Sequence, residues 1–160
     1  MRKGFTLIEL IVVVGIMLAV SAVVFSNLAG ERTEADLTAT TQQVTTLLRE
    51  AQTDAMTQEN NSQAVDAAWG VHFSNATATA PFYALFTGSY SQSSTVSSYP
   101  LLSTVAYQTS TLPAGATLDV IFSPVTGFPS ASATIGFYMP KENTAFSSTI
   151  VVAPTGAVSY

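Results

Sequence analysis

Twenty-one consecutive residues, Leu10 to Gly30, carry no charge, and they sit almost at the start of the chain. As a helix rising about 1.5 Å per residue, such a run is roughly 31 Å long, close to the thickness of a bilayer core. Arg2 and Lys3 precede it, which by the positive-inside rule holds the N-terminus in the cytoplasm and sends the remainder across. One residue resists this picture. Glu9 stands at the head of the run, and an acid within a membrane helix costs up to about 2.5 to 3.5 kcal/mol. Something must offset that cost.

The rest of the charge is unevenly spread. Nine charged residues fall between Glu31 and Asp66, but the 94 residues from Ala67 onward hold only Asp119, Lys141 and Glu142. Overall 9% of the chain is charged, against about 25% in ordinary soluble domains. The C-terminal part must stay in solution on Ser, Thr, Asn and Gln, which suits an exported domain. There is no cysteine, which removes disulfides, thiol nucleophiles and thiolate metal sites from consideration.

Three explanations of the N-terminus compete. A secretory signal peptide would have a shorter apolar run followed by a small-residue cleavage site, and Ser26 to Gly30 supplies small residues. A plain signal anchor accounts for the length and the flanking charges but not for Glu9. The third explanation rests on the stretch Gly4-Phe5-Thr6-Leu7-Ile8-Glu9. It resembles the prepilin cleavage motif of type IV pilins and type II secretion pseudopilins. In that family a membrane aspartic peptidase cuts after the Gly and methylates the new N-terminal amine, usually on Phe, and the fifth residue after the cut is Glu. The resemblance implies cleavage between Gly4 and Phe5, N-methylation of Phe5, and an assembly role for Glu9. The physics agrees. An acid paired with the cationic amine of a neighbouring subunit escapes most of its burial cost, whereas in a lone chain it stays unpaired in lipid. Snorkelling of Glu9 to the headgroups would also relieve the cost, but would not fix its register with Gly4 and Phe5.

Beyond the apolar run, Leu37, Val44, Leu48, Ala51 and Ala55 recur with helical period, opposite polar Arg49, Glu50 and Asp54. No proline occurs before Pro81, so one helix is expected from about Phe5 to Thr57, stopping near Glu59-Asn60-Asn61-Ser62. After Gly70 the period becomes that of strands. Trp69 to Phe73, Phe82 to Phe86, Thr117 to Phe122, Thr134 to Tyr138 and Thr149 to Val152 are β-branched and aromatic runs. Ala153-Pro154-Thr155-Gly156 signals a turn into a last strand at Ala157 to Tyr160. Gly88 to Ser98 is expected to be a flexible loop by composition. The fold class is therefore α+β: a long N-terminal helix, membrane-spanning in its first half and amphipathic in its second, packed on a C-terminal antiparallel β-sheet domain. The divisions are 1–4 leader peptide, 5–30 transmembrane and assembly helix, 31–58 amphipathic periplasmic helix, and 59–160 β-rich head. The head also resembles the minor pseudopilins of the GspH/FimT group, through its aromatic-Gly-Val-x-Phe strand, its Phe122 to Gly127 segment and its final Ile150 to Val158 hairpin.

Catalytic and cofactor signatures are missing. His72, the only histidine, lies in an alternating strand, and a Ser-His-Asp triad would need it beside Asp66 or Asp119. The sequence holds no G-x-S-x-G elbow, phosphate loop, H-E-x-x-H or EF-hand spacing. Some relatives hold calcium in an acidic C-terminal loop, but past Ala67 only Asp119 and Glu142 could supply carboxylates, so neither metal nor other cofactor is expected. FimT-like pilins that take up DNA use basic C-terminal residues. Here Ala157 follows Gly156 and Lys141 stands beside Glu142, so nucleic acid is not an expected partner. Asn60-Asn61-Ser62 and Asn75-Ala76-Thr77 fit the glycosylation acceptor pattern.

The sequence therefore points to a non-enzymatic pilin-like subunit, a minor pseudopilin or minor pilin. Its expected partners are the prepilin peptidase/methyltransferase, other pilins or pseudopilins, the inner-membrane assembly platform and the lipid bilayer. It would sit as a single-pass inner-membrane protein with its head outside the cytoplasm, and then in a periplasmic or extracellular filament. The rival classes are a DNA- or surface-binding tip pilin and a single-pass anchored domain.

Overall fold

The computed structural model describes residues 6–57, 68–140 and 146–160, with the side chains of residues 23–33 outside the description. The expected leader residue Gly4, the expected new N-terminus Phe5, and Asp66, Lys141 and Glu142 all lie outside the described residues. The chain divides into two compact units, Met1–Ala35 and Asp36–Tyr160.

The first unit contains the start of α1, a helix assigned from Leu7 to Thr57. Its apolar side chains from Leu7 to Val20 are exposed, Leu7 at 77%. Among the described residues no helix is long and apolar enough to cross a membrane. The continuous run of described apolar side chains ends at Ala22, short of the roughly 20 residues a bilayer requires. The spanning half expected from the sequence is therefore not shown by the structure; its length rests on the charge-free sequence, which continues to Gly30.

In the second unit the remainder of α1 carries the apolar stripe. Leu37, Val44, Leu48, Ala51 and Ala55 are all buried, joined by Leu47. Buried Thr41 and Thr45 share this face, and each hydroxyl donates to the carbonyl four residues back, Leu37 and Thr41, at 2.8 Å. That local bond lets a polar side chain enter the core without an orphan group. Truncating Leu48 here would cost about 2 to 5 kcal/mol, the usual range for a fully buried leucine.

The β part is split into two antiparallel four-stranded sheets. The first is ordered β3-β2-β1-β5, from β1 (Trp69–Ser74), β2 (Phe82–Thr87), β3 (Thr95–Pro100) and β5 (Thr117–Phe122). The second is ordered β4-β6-β7-β8, from β4 (Ala106–Tyr107), β6 (Ala133–Tyr138), β7 (Ser147–Val152) and β8 (Val158–Ser159). Val71 and Phe73 lie opposite Leu85 and Tyr83 on one side and Val120 and Leu118 on the other, forming one face of the core. Ile135, Phe137, Ile150 and Val152 contribute from the second sheet. β1 is buried along its whole length and β2 nearly so, so the two central strands of the first sheet are covered on both faces.

Two expectations need correction. The head holds two sheets, not one. The segment Gly88 to Ser98, expected to be loop, contributes Thr95–Ser98 to β3. β3 is an edge strand whose residues alternate between half-buried and exposed. An edge strand buries little, so serine is tolerated there and composition does not mark it. The expected Ala153–Gly156 turn is present. Gly156 N–H donates to the Ala153 carbonyl at 2.9 Å, with Gly156 at φ 82°.

Candidate functional site

The N-terminal site begins at Thr6, the residue before α1. Its backbone N–H and its hydroxyl both donate to Glu9 Oε2 at 3.3 Å, and the Glu9 N–H donates to Thr6 Oγ1 at 3.3 Å. This reciprocal pattern is a capping box, in which the first residues of a helix satisfy each other's orphan donors. The negative carboxylate also lies in the first turn, where the helix dipole favours it. The signal for it in the sequence is Thr6-x-x-Glu9, which overlaps the cleavage motif residue for residue. Thr6 is thus a functional candidate that sequence reasoning missed. Further along, Ser21 Oγ donates to the Met17 carbonyl at 2.7 Å, so the hydroxyl inside the apolar stretch is satisfied by its own helix.

In the second unit, the structure does bring two members of the conceivable triad together. His72 is 5% exposed, and its Nδ1–H donates to Asp119 Oδ1 at 2.5 Å. The ring stacks on Tyr90 with centroids 3.5 Å apart and planes 2° apart. Ser98, Ala84, His72 and Asp119 share one cross-strand row of the first sheet. Ala84 separates Ser98 from His72, and no described serine hydroxyl hydrogen-bonds the ring. The pair and the stack tie the Gly88–Ser94 loop to this face of the sheet.

The remaining candidates are committed elsewhere. Asn75 Nδ2 donates to the Leu112 carbonyl at 2.9 Å, which occupies the amide that a glycan would need; Asn60 lies outside the described residues. Among the described residues no group of three or more metal-ligating side chains forms. Arg49 donates to the Val158 carbonyl at 3.2 Å. Burial and, secondarily, neighbouring Tyr99 push the Tyr83 hydroxyl up to about 12. Tyr107 is also raised, first by burial and then by Tyr83; its hydroxyl donates to the Phe82 carbonyl at 3.0 Å. These tyrosines pack the core.

The site that stands out is the capped, exposed apolar helix start. Residues 1–25 match the family model described as the prokaryotic N-terminal methylation motif, the signal of type IV pilin-like subunits that a prepilin peptidase processes. That match bears on the N-terminus and not on the head. No curated protein and no solved structure matched the chain.

Proposed function

We propose that this chain is a structural subunit of the GspH/FimT type, a minor pseudopilin or minor pilin. It is cut between Gly4 and Phe5, methylated on Phe5, held in the inner membrane by the segment to Gly30, and assembled into a pseudopilus or pilus. The observation that carries the proposal is the match of residues 1–25 to the methylation motif. The exposed apolar side chains of Leu7 to Val20 support it, because a face of that kind needs lipid or neighbouring helices to cover it.

The capping box gives Glu9 two successive settings. In a single chain its carboxylate is held by the Thr6 N–H and hydroxyl, which lowers the cost of keeping an acid beside lipid. On assembly, the cationic amine of a neighbour's Phe5 is a stronger partner than these long, neutral bonds. Glu9 therefore tolerates storage and favours packing.

Intact-mass analysis with N-terminal peptide mapping tests this, on protein from membranes of a host that carries the peptidase. A chain starting at methylated Phe5 supports the reading. A chain starting at Met1 makes the protein an ordinary anchored domain, and a cut after Ala29 makes the segment a secretory signal; either result ends the filament proposal.

A further inference from the structure

The outer face of the second sheet carries a cavity of about 320 Å³ whose described lining is Gln108, Thr109, Ser110 and Tyr138. The register places Gln108 across from Gly136, whose carbonyl accepts from the Gln108 N–H at 2.8 Å. The Gln108 carbonyl in turn accepts from the N–H groups of Thr111 and Leu112, at 3.0 and 2.8 Å, and from Thr111 Oγ1 at 3.1 Å. The same Thr111 hydroxyl accepts from the Gly136 N–H at 3.0 Å. The turn is thus fixed at both ends. The Gln108 side chain lies flat over Gly136, where a Cβ would come within 2.7 Å of Gln108 Cδ. Glycine at 136 is what lets the carboxamide occupy this position.

These polar groups are unspent. The Gln108 carboxamide and the hydroxyls of Thr109, Ser110 and Tyr138 make no hydrogen bond to any described residue. Asn75 and Tyr107 of the same domain, by contrast, are engaged, on the Leu112 and Phe82 carbonyls. Four neutral groups, each able to donate and to accept, therefore meet at one rigid concavity beside a half-buried aromatic ring. Among the described lining residues there is no counter-charge for a charged ligand and no apolar socket for a peptide side chain. A sugar ring matches on both counts, since its hydroxyls donate and accept and its C–H face packs on an aromatic ring. The volume lies at the low end of ligand pockets, which run from about 300 to 1,000 Å³. We propose that this cavity is a subsite for one unit of a neutral saccharide. The inference is independent of how the N-terminus is processed.

The test uses the full chain, ¹⁵N-labelled, in a phosphocholine detergent that contributes no sugar. Maltose and N,N′-diacetylchitobiose are titrated separately, with an uncharged capped Gly-Ser-Gly peptide as the third probe. The expected result is a saturable shift of the Gln108 side-chain NH₂ signals with one of the sugars, weakened at least ten-fold by Tyr138→Ala. Ser110→Trp fills the cavity from an exposed turn position, so it keeps the fold if Tyr138→Ala does not, and it should abolish the shift. No saturable shift with either sugar, an undiminished shift in Ser110→Trp, or binding of the peptide instead would each overturn the proposal.

Discussion

Val125 sits in the left-handed region at φ 67°, where a β-branched side chain is a genuine outlier. The Thr126 N–H donates to the Pro124 carbonyl at 2.7 Å, closing a three-residue turn around Val125. Positive φ with that bond is the strained form of the γ-turn. The turn is held from outside, since the Val125 N–H donates to the Ala55 carbonyl at 3.0 Å and so satisfies one of the last acceptors of α1. The side chain itself is 65% exposed and gains little from burial. Val125→Gly should therefore relieve about 1 to 2 kcal/mol of left-handed strain, less about 0.4 to 1 kcal/mol for the added freedom of the unfolded chain. The expected net gain is about 1 kcal/mol, or roughly 3 °C in Tm for a domain of this size. Val125→Asn, which tolerates the same φ with less unfolded-state entropy, should gain at least as much. Thermal and urea unfolding followed by circular dichroism, with the full chain in detergent, reads both. A loss of stability in both variants would show that the Val125 side chain contributes more than its strain costs, and the reasoning would fail.

Other perturbations address other links. Glu9→Val should leave cleavage intact and lower incorporation into filaments, so normal incorporation would remove the pairing argument, while Gly4→Val should block cleavage, as read by intact mass. Thr6→Val removes half of the capping box and should cost the helix start about 1 kcal/mol, visible as faster amide exchange confined to the first turn; unchanged exchange would mean the box contributes nothing. Gly127→Ala places a Cβ 2.7 Å from Met56 Cγ at φ 63°, so a clear loss of stability, at least about 1 kcal/mol, is expected on unfolding, and a neutral result would contradict the packing there. Because Tyr83 is raised from 10.0 to about 12 in the folded chain, its contribution is fully present below pH 10 and is lost as pH rises through about 12. That contribution should thus be constant up to pH 10 and fall above it, and Tyr83→Phe should lessen the loss of stability at high pH; an identical alkaline profile in the variant would assign the loss to other groups.

Much of this protein is legible in one dimension. The register of Gly4, Phe5 and Glu9 is a local chemical pattern, and residues 1–25 match the methylation motif without any help from the fold. The helix over Leu7–Thr57 follows from the lack of proline and from a stripe whose members Val44, Leu48, Ala51 and Ala55 are all buried. Even the Thr6–Glu9 box was written in the sequence, four residues long. The tertiary structure alone decided the division of the strands into two sheets, the membership of Thr95–Ser98 in β3, and the meetings of His72 with Asp119 and Gln108 with Gly136. The reason is one of range. Helical stripes and capping boxes are made by residues three or four apart, so their spacing is visible in sequence. Strand partners are 47 residues apart for His72 and Asp119, and an edge strand or a polar cavity buries too little to leave a hydrophobic signature. Such features exist only once distant segments have paired, which is why the N-terminal signal could be seen in the sequence and the saccharide-sized cavity could not.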